Sequence, residues 1–109
     1  MATLTGTNGP DSISGTNTAD AIFGLDGDDS LYGLSGDDLL RGGSDNDQLF
    51  GASGRDSLLA GSGDDTVFGG DGNDNLVGGS GSDLLYAGIG SDRLNGGSGV
   101  DTAVGGRAN

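Results

Sequence analysis

Aspartate recurs in this chain every nine residues without a miss: Asp11, Asp20, Asp29, Asp38, Asp47, Asp56, Asp65, Asp74, Asp83, Asp92 and Asp101. A facing pair of carboxylates can pass a proton, as in glycoside hydrolysis, but eleven repetitions do not suit one acid and one base. Short, stiff carboxylates set among glycines suit the oxygen ligation of a hard divalent cation. The same side chains could instead close turns by accepting backbone N–H groups. Eleven like charges stacked at strand spacing would then repel with no counter-charge. The chain has no His and no Cys, so imidazole bases, thiolate nucleophiles and thiolate zinc sites are all missing. Its glycine-rich segments precede strands rather than helices, which excludes a phosphate loop. The chain is not expected to be an enzyme.

The elements that must position these carboxylates follow from a second series. Stepping by nine also finds Leu4, Ile13, Ile22, Leu31, Leu40, Leu49, Leu58, Val67, Leu76, Leu85 and Leu94, with only Ala103 weak. A short period held without insertion marks a solenoid. Each unit predicts a three-residue strand centred on the aliphatic and a six-residue turn. Alternation along a strand points the aliphatic inward and its two neighbours outward. Two units make one coil, so residues 18 apart stack at ~4.8 Å. The result is two short parallel sheets facing each other. The coil sorts the aspartates onto two edges. One carries Asp11, Asp29, Asp47, Asp65, Asp83 and Asp101; the other carries Asp20, Asp38, Asp56, Asp74 and Asp92.

Composition supports this and bounds the partners. Glycine supplies 26 of 109 residues, a content that suits many positive-φ turns. All 17 acids are Asp, only Arg41, Arg55, Arg93 and Arg107 oppose them, and the formal charge is −13. Nucleic acid and anionic membrane are therefore not expected partners. No apolar run approaches the ~20 residues of a membrane-spanning helix, and Met1 to Asn17 shows no charged and apolar leader.

Phased on its glycines, the unit reads G-G-x-G-x-D-x-U-x, with U a large aliphatic. Gly69, Gly70, Asp71, Gly72, Asn73, Asp74, Asn75, Leu76 and Val77 form one copy; Gly78 to Tyr86 form the next. This resembles the calcium-binding nonapeptide repeat of RTX (repeats-in-toxin, hemolysin-type) proteins, and the resemblance runs from Leu4 to Gly106. It implies an all-β fold, a right-handed parallel β-roll (a β-solenoid) over residues 1–109, with two repeats per coil. It also implies Ca2+ between turns one coil apart, held by the eleven aspartates and by turn carbonyls. The turn residues so implicated are Gly24, Gly27, Gly33, Gly36, Gly61, Gly63, Gly69, Gly70, Gly72, Gly78, Gly79, Gly81, Gly88, Gly90, Gly96, Gly97 and Gly99. Six turns on one edge and five on the other leave gaps for up to about nine ions, with weaker binding expected near Asp20 and Asp47. Members of the family are exported and fold outside the cell, which implies an extracellular location.

Some residues depart from the unit. Thr7 and Thr16 replace the second glycine and Thr18 the third in the first two turns, which suits a cap on the stack. Asp45, Ala52, Ala60 and Ala87 replace glycines later, Ile89 is an apolar turn residue, and Arg55 sets a cation beside Asp56. Asp26, Asp28, Asp37, Asp45, Asp64 and Asp71 fall outside the ladder and are expected to be solvated or secondary. Finally, Tyr32, Phe50, Phe68 and Tyr86 lie 18 apart on one outer sheet. They should stack as an aromatic ladder that stiffens the sheet or docks a second copy or a neighbouring domain.

Overall fold

The structure is a computed structural model, and it describes residues 1–106; the last repeat, expected to be incomplete from Gly105 to Asn109, ends in Arg107, Ala108 and Asn109, which lie outside the described residues. The described chain is all strand and turn. One parallel sheet runs in the order β1 (Ala2–Thr5), β3 (Asp20–Leu25), β5 (Leu39–Gly43), β7 (Ser57–Ser62), β9 (Asn75–Ser80), β11 (Arg93–Gly97). The other contains β2 (Ser12–Ser14), β4 (Ser30–Tyr32), β6 (Gln48–Ser53), β8 (Thr66–Asp71), β10 (Leu84–Ile89) and β12 (Thr102–Val104). Successive strands alternate between the sheets, and each pairs with the strand one coil away.

The 18-residue register is the one the spacing predicted. In the first sheet Leu4, Ile22, Leu40, Leu58, Leu76 and Leu94 align across the strands. In the second, Ile13, Leu31, Leu49, Val67, Leu85 and Ala103 align. The residues from Ile22 to Leu85 in these two columns are wholly buried, and Leu4, Ile13 and Leu94 pack partly buried against them at the ends.

One expectation needs correction. The strands were expected to hold three residues, yet β3 and β6 to β10 each hold six. Pairing does not stop after the aliphatic triplet, because turn residues such as Gly43, Gly61 and Gly79 stay in register from coil to coil. The aspartates stack along the two edges that the coil assigns them, and most of them are buried there. From Asp20 to Asp83 the eight ladder carboxylates are only 1–3% exposed. The alternation itself explains this. Two residues before an inward aliphatic, and two after it, the side chain also faces inward. The Asp, the aliphatic and the first turn residue therefore share the interior, which is also why Ala60 and Ala87 are buried.

Outside the second sheet, the rings of Tyr32, Phe50, Phe68 and Tyr86 stack as expected. Their centroids are 4.9, 5.0 and 4.9 Å apart and their planes within 6° of parallel. Covered by one another, the rings are half-buried rather than fully exposed.

Candidate metal centres

Each ladder aspartate sits where a turn becomes a strand, and its two carboxylate oxygens have different surroundings. Oδ1 accepts the backbone N–H of the ladder residue one coil earlier. Asp29 receives that of Asp11, Asp47 that of Asp29, Asp65 that of Asp47, and so on at 2.7–2.9 Å. The other edge repeats this from Asp38 to Asp92. The turn-closing role is thus present, but from Asp29 to Asp92 it uses only half of each carboxylate. Oδ2 of Asp29, Asp38, Asp47, Asp56, Asp65, Asp74, Asp83 and Asp92 is buried with no hydrogen-bond partner. A buried carboxylate oxygen left unpaired is costly, and a run of eight calls for a missing counter-charge.

The space beside these oxygens is oxygen-rich. A Cβ built on Gly24 would lie 2.5 Å from Asp29 Oδ2 and 2.7 Å from the carbonyl oxygen of Gly42, one coil further. Gly33, Gly69 and Gly78 border equivalent points beside Asp38, Asp74 and Asp83. Gly96 stands so beside Asp101, though with no further coil above it among the described residues. The turn carbonyls approach the neighbouring coil closely too. A Cβ on Gly61 would run into the carbonyl of Gly43, and one on Gly72 into that of Gly54. Among the described residues no three acidic side chains converge on one point, so any cation here would draw most of its ligands from backbone.

The turn backbone falls into two classes. In all nine turns from Gly24 onward the second and fourth residues have positive φ. Leu25, Leu34, Gly43, Ala52, Gly61, Gly70, Gly79, Gly88 and Gly97 hold the second position, with φ between +75° and +109°. Gly27, Gly36, Asp45, Gly54, Gly63, Gly72, Gly81, Gly90 and Gly99 hold the fourth. Leu25 (φ 79°) and Leu34 (φ 76°) stand where the unit calls for glycine, a departure the aliphatic and Asp series passed over. Their side chains remain about two-fifths exposed. In the two earlier turns neither position has positive φ.

A family description, the RTX calcium-binding nonapeptide repeat, matches in overlapping stretches at residues 3–31, 14–49, 23–58, 41–76, 50–85 and 68–103. The chain belongs to the RTX calcium-binding repeat family. The repeat is a structural, calcium-binding one, and proteins that carry it are typically secreted. Neither the curated proteins nor the solved structures contain a significant match.

The RTX turns of this chain fit calcium on their own chemistry. All available donors are hard oxygens, the Oδ2 atoms from Asp29 to Asp92 are buried and unpaired, and the gaps are bordered by carbonyls from two coils. Ca2+ accepts six to eight such ligands in loose geometry, whereas Mg2+ demands a tight octahedron and keeps its water. The acids outside the ladder are otherwise engaged. Asp28, Asp37 and Asp64 accept the N–H of Asn46, Arg55 and Ser82, Asp45 accepts that of Gly27, and Asp26 accepts the Ser44 hydroxyl. Asp71 stands on the turn surface at the end of β8.

Burial drives the ladder carboxylates toward their neutral form when no cation is present. It pushes Asp47, Asp56 and Asp65 up to about 7 and Asp74 to about 6 from 3.8, and raises Asp29, Asp38 and Asp83 as well. Asp20 goes the other way, lowered chiefly by the Thr16 N–H. A carboxyl whose folded pKa is raised takes up a proton on folding, so the cation-free roll gains stability as pH falls. That gain is complete below about 3.8, the unfolded value, and is lost as pH rises through 6–7. Metal-stripped protein should therefore gain β-structure in far-UV circular dichroism between pH 7.5 and 4. Loss of β-structure over that interval would contradict the buried placement of the ladder.

Proposed function

We propose that this chain is a calcium-responsive folding module: several Ca2+ ions bind between stacked Gly-Asp turns, and the roll forms on binding them, outside the cell. What supports this above all is the set of eight buried, unpaired Asp Oδ2 atoms. Without a cation the ladder sets eight like charges in a thin core whose aliphatics number one per strand. With a cation in each gap, the carboxylates and the turn carbonyls acquire the partner they lack, and binding energy becomes folding energy. Two positive charges per ion also offset a formal charge of −13. Low calcium would leave the chain expanded, and the millimolar calcium of extracellular fluids would close it.

The test is a far-UV circular dichroism titration from chelated protein at pH 7.5, with Mg2+ as control. A cooperative rise in β-signal with Ca2+ and not with Mg2+ is the expected result. A β-rich spectrum that chelation leaves unchanged would sink the proposal.

A calcium-stiffened spacer that docks through Tyr32, Phe50, Phe68 and Tyr86, onto a second copy or a neighbouring domain, is the second function to weigh. It is favoured by the uncharged column beside the rings, Ser30, Gln48, Thr66 and Leu84. Size weighs against it: six short strands at ~4.8 Å spacing offer roughly 500 Å², against ~800 Å² per partner in a stable interface. Sheet stiffening accounts for the ladder with nothing further. Tyr32, Phe50, Phe68 and Tyr86 replaced together by Thr should leave the sedimentation coefficient of the calcium-loaded chain unchanged.

A further inference from the structure

The first two turns differ from the later nine at the very atoms a cation would use. Their second residue is threonine rather than a residue of positive φ. The N–H of Thr7 donates to Asp11 Oδ2 at 2.6 Å, and the Thr7 hydroxyl reaches the same carboxylate at 3.0 and 3.2 Å. Thr16 repeats this on Asp20, with its N–H at 2.6 Å and its hydroxyl 3.0 Å from each oxygen. The hydroxyls in turn accept the N–H groups of Gly9 and Thr18, closing each turn on itself. Oδ2, orphaned from Asp29 to Asp92, is thus satisfied in these two turns.

A turn of this kind cannot serve a cation equally well. The N–H and O–H dipoles directed at Oδ2 place positive charge where the ion would have to sit. The same donors supply the charge-assisted bonds that stabilise the anion without it. We infer that Gly6–Asp11 and Gly15–Asp20 are cation-independent closing turns, in which Thr7 and Thr16 stand in for calcium, and that ions bind only between the turns that follow. This rests on the calcium-binding function proposed above and sharpens it. On one edge five positive-φ turns leave four gaps, and on the other four leave three, giving seven ions instead of the nine that counting aspartates allows. One end of the roll is then closed by the chain's own hydrogen bonds, and only the growing part depends on calcium.

Native mass spectrometry of the calcium-saturated chain counts the ions directly. Seven are expected for the unaltered protein, and seven again for Asp11→Asn/Asp20→Asn, whereas Asp56→Asn/Asp65→Asn should lose ions. Replacing Thr7, Thr16 and Thr18 by Gly restores the repeat unit and should raise the count toward nine. Nine ions in the unaltered protein would overturn the inference while leaving the calcium function intact. So would ion loss in Asp11→Asn/Asp20→Asn equal to that in Asp56→Asn/Asp65→Asn. A chain that binds no calcium would overturn both.

Discussion

Gly72→Val should leave the chain without stable β-structure even at saturating calcium. Gly72 has φ +114°, well outside the left-handed well near +57° that an L residue can occupy, and a β-branched residue at positive φ is a genuine outlier. Backbone strain of this kind costs on the order of 1–3 kcal/mol. The clash adds to it, because the new Cβ would run into the carbonyl of Gly54 one coil below, and that contact is with backbone and cannot rotate away. The site lies mid-stack, so relief would require parting two coils and opening a gap proposed to hold an ion. A circular dichroism titration of the variant should show no cooperative transition in the calcium range that folds the parent chain. Ala52→Val is the informative comparison. At φ 75° the chain already accepts a side chain, so the effect there should be smaller. A Gly72→Val protein that folds at the parent's calcium midpoint would refute the close approach of the coils.

Asp56→Asn/Asp65→Asn should have opposite effects with and without calcium. Asparagine keeps an oxygen to accept the N–H groups of Asp38 and Asp47, which Asp56 and Asp65 now accept at 2.9 and 2.7 Å. It removes two buried, unpaired anionic oxygens, each of which costs several kcal/mol when nothing neutralises it. In metal-free buffer the variant should therefore hold more β-structure than the parent. With calcium, the lost charge weakens the adjoining sites, and the folding midpoint should move to roughly tenfold higher calcium, about 1.4 kcal/mol. Thermal melts in chelator and in calcium read both directions in one experiment. An unchanged midpoint would show that these two carboxylates do not ligate. A metal-free variant less folded than its parent would show that the ladder is not under electrostatic strain.

Much of this was legible in the spacing. The nine-residue series of aliphatics and aspartates carried the coil, the register of 18 and the two parallel sheets, because one large buried aliphatic per strand leaves no freedom to slip. The stacked rings followed from the same register. Other features needed coordinates. The burial of the aspartates follows from extending the alternation two residues back from Leu58 or Val67, to Asp56 and Asp65, but the position of an acidic residue in a turn does not by itself announce it. The longer strands depend on backbone pairing among glycines, which carry no side-chain pattern. Leu25 and Leu34 lie at positive φ because the coils above and below impose that conformation, and no local propensity announces it. Thr7 and Thr16 were legible as a cap, yet their hydroxyl and amide contacts to Asp11 and Asp20 depend on a turn geometry that composition does not specify.

The two-sheet register also limits how such a chain can change length over evolution. A tandem duplication of nine residues keeps every aliphatic and every aspartate in phase. It nevertheless transfers all downstream units to the opposite sheet, so an insertion after Phe50 would separate Tyr32 and Phe50 from Phe68 and Tyr86 by the full thickness of the roll. Duplications of 18 keep each face whole. The fold can therefore gain or lose whole coils freely, whereas half-coil changes exchange the fronts and backs of everything that follows.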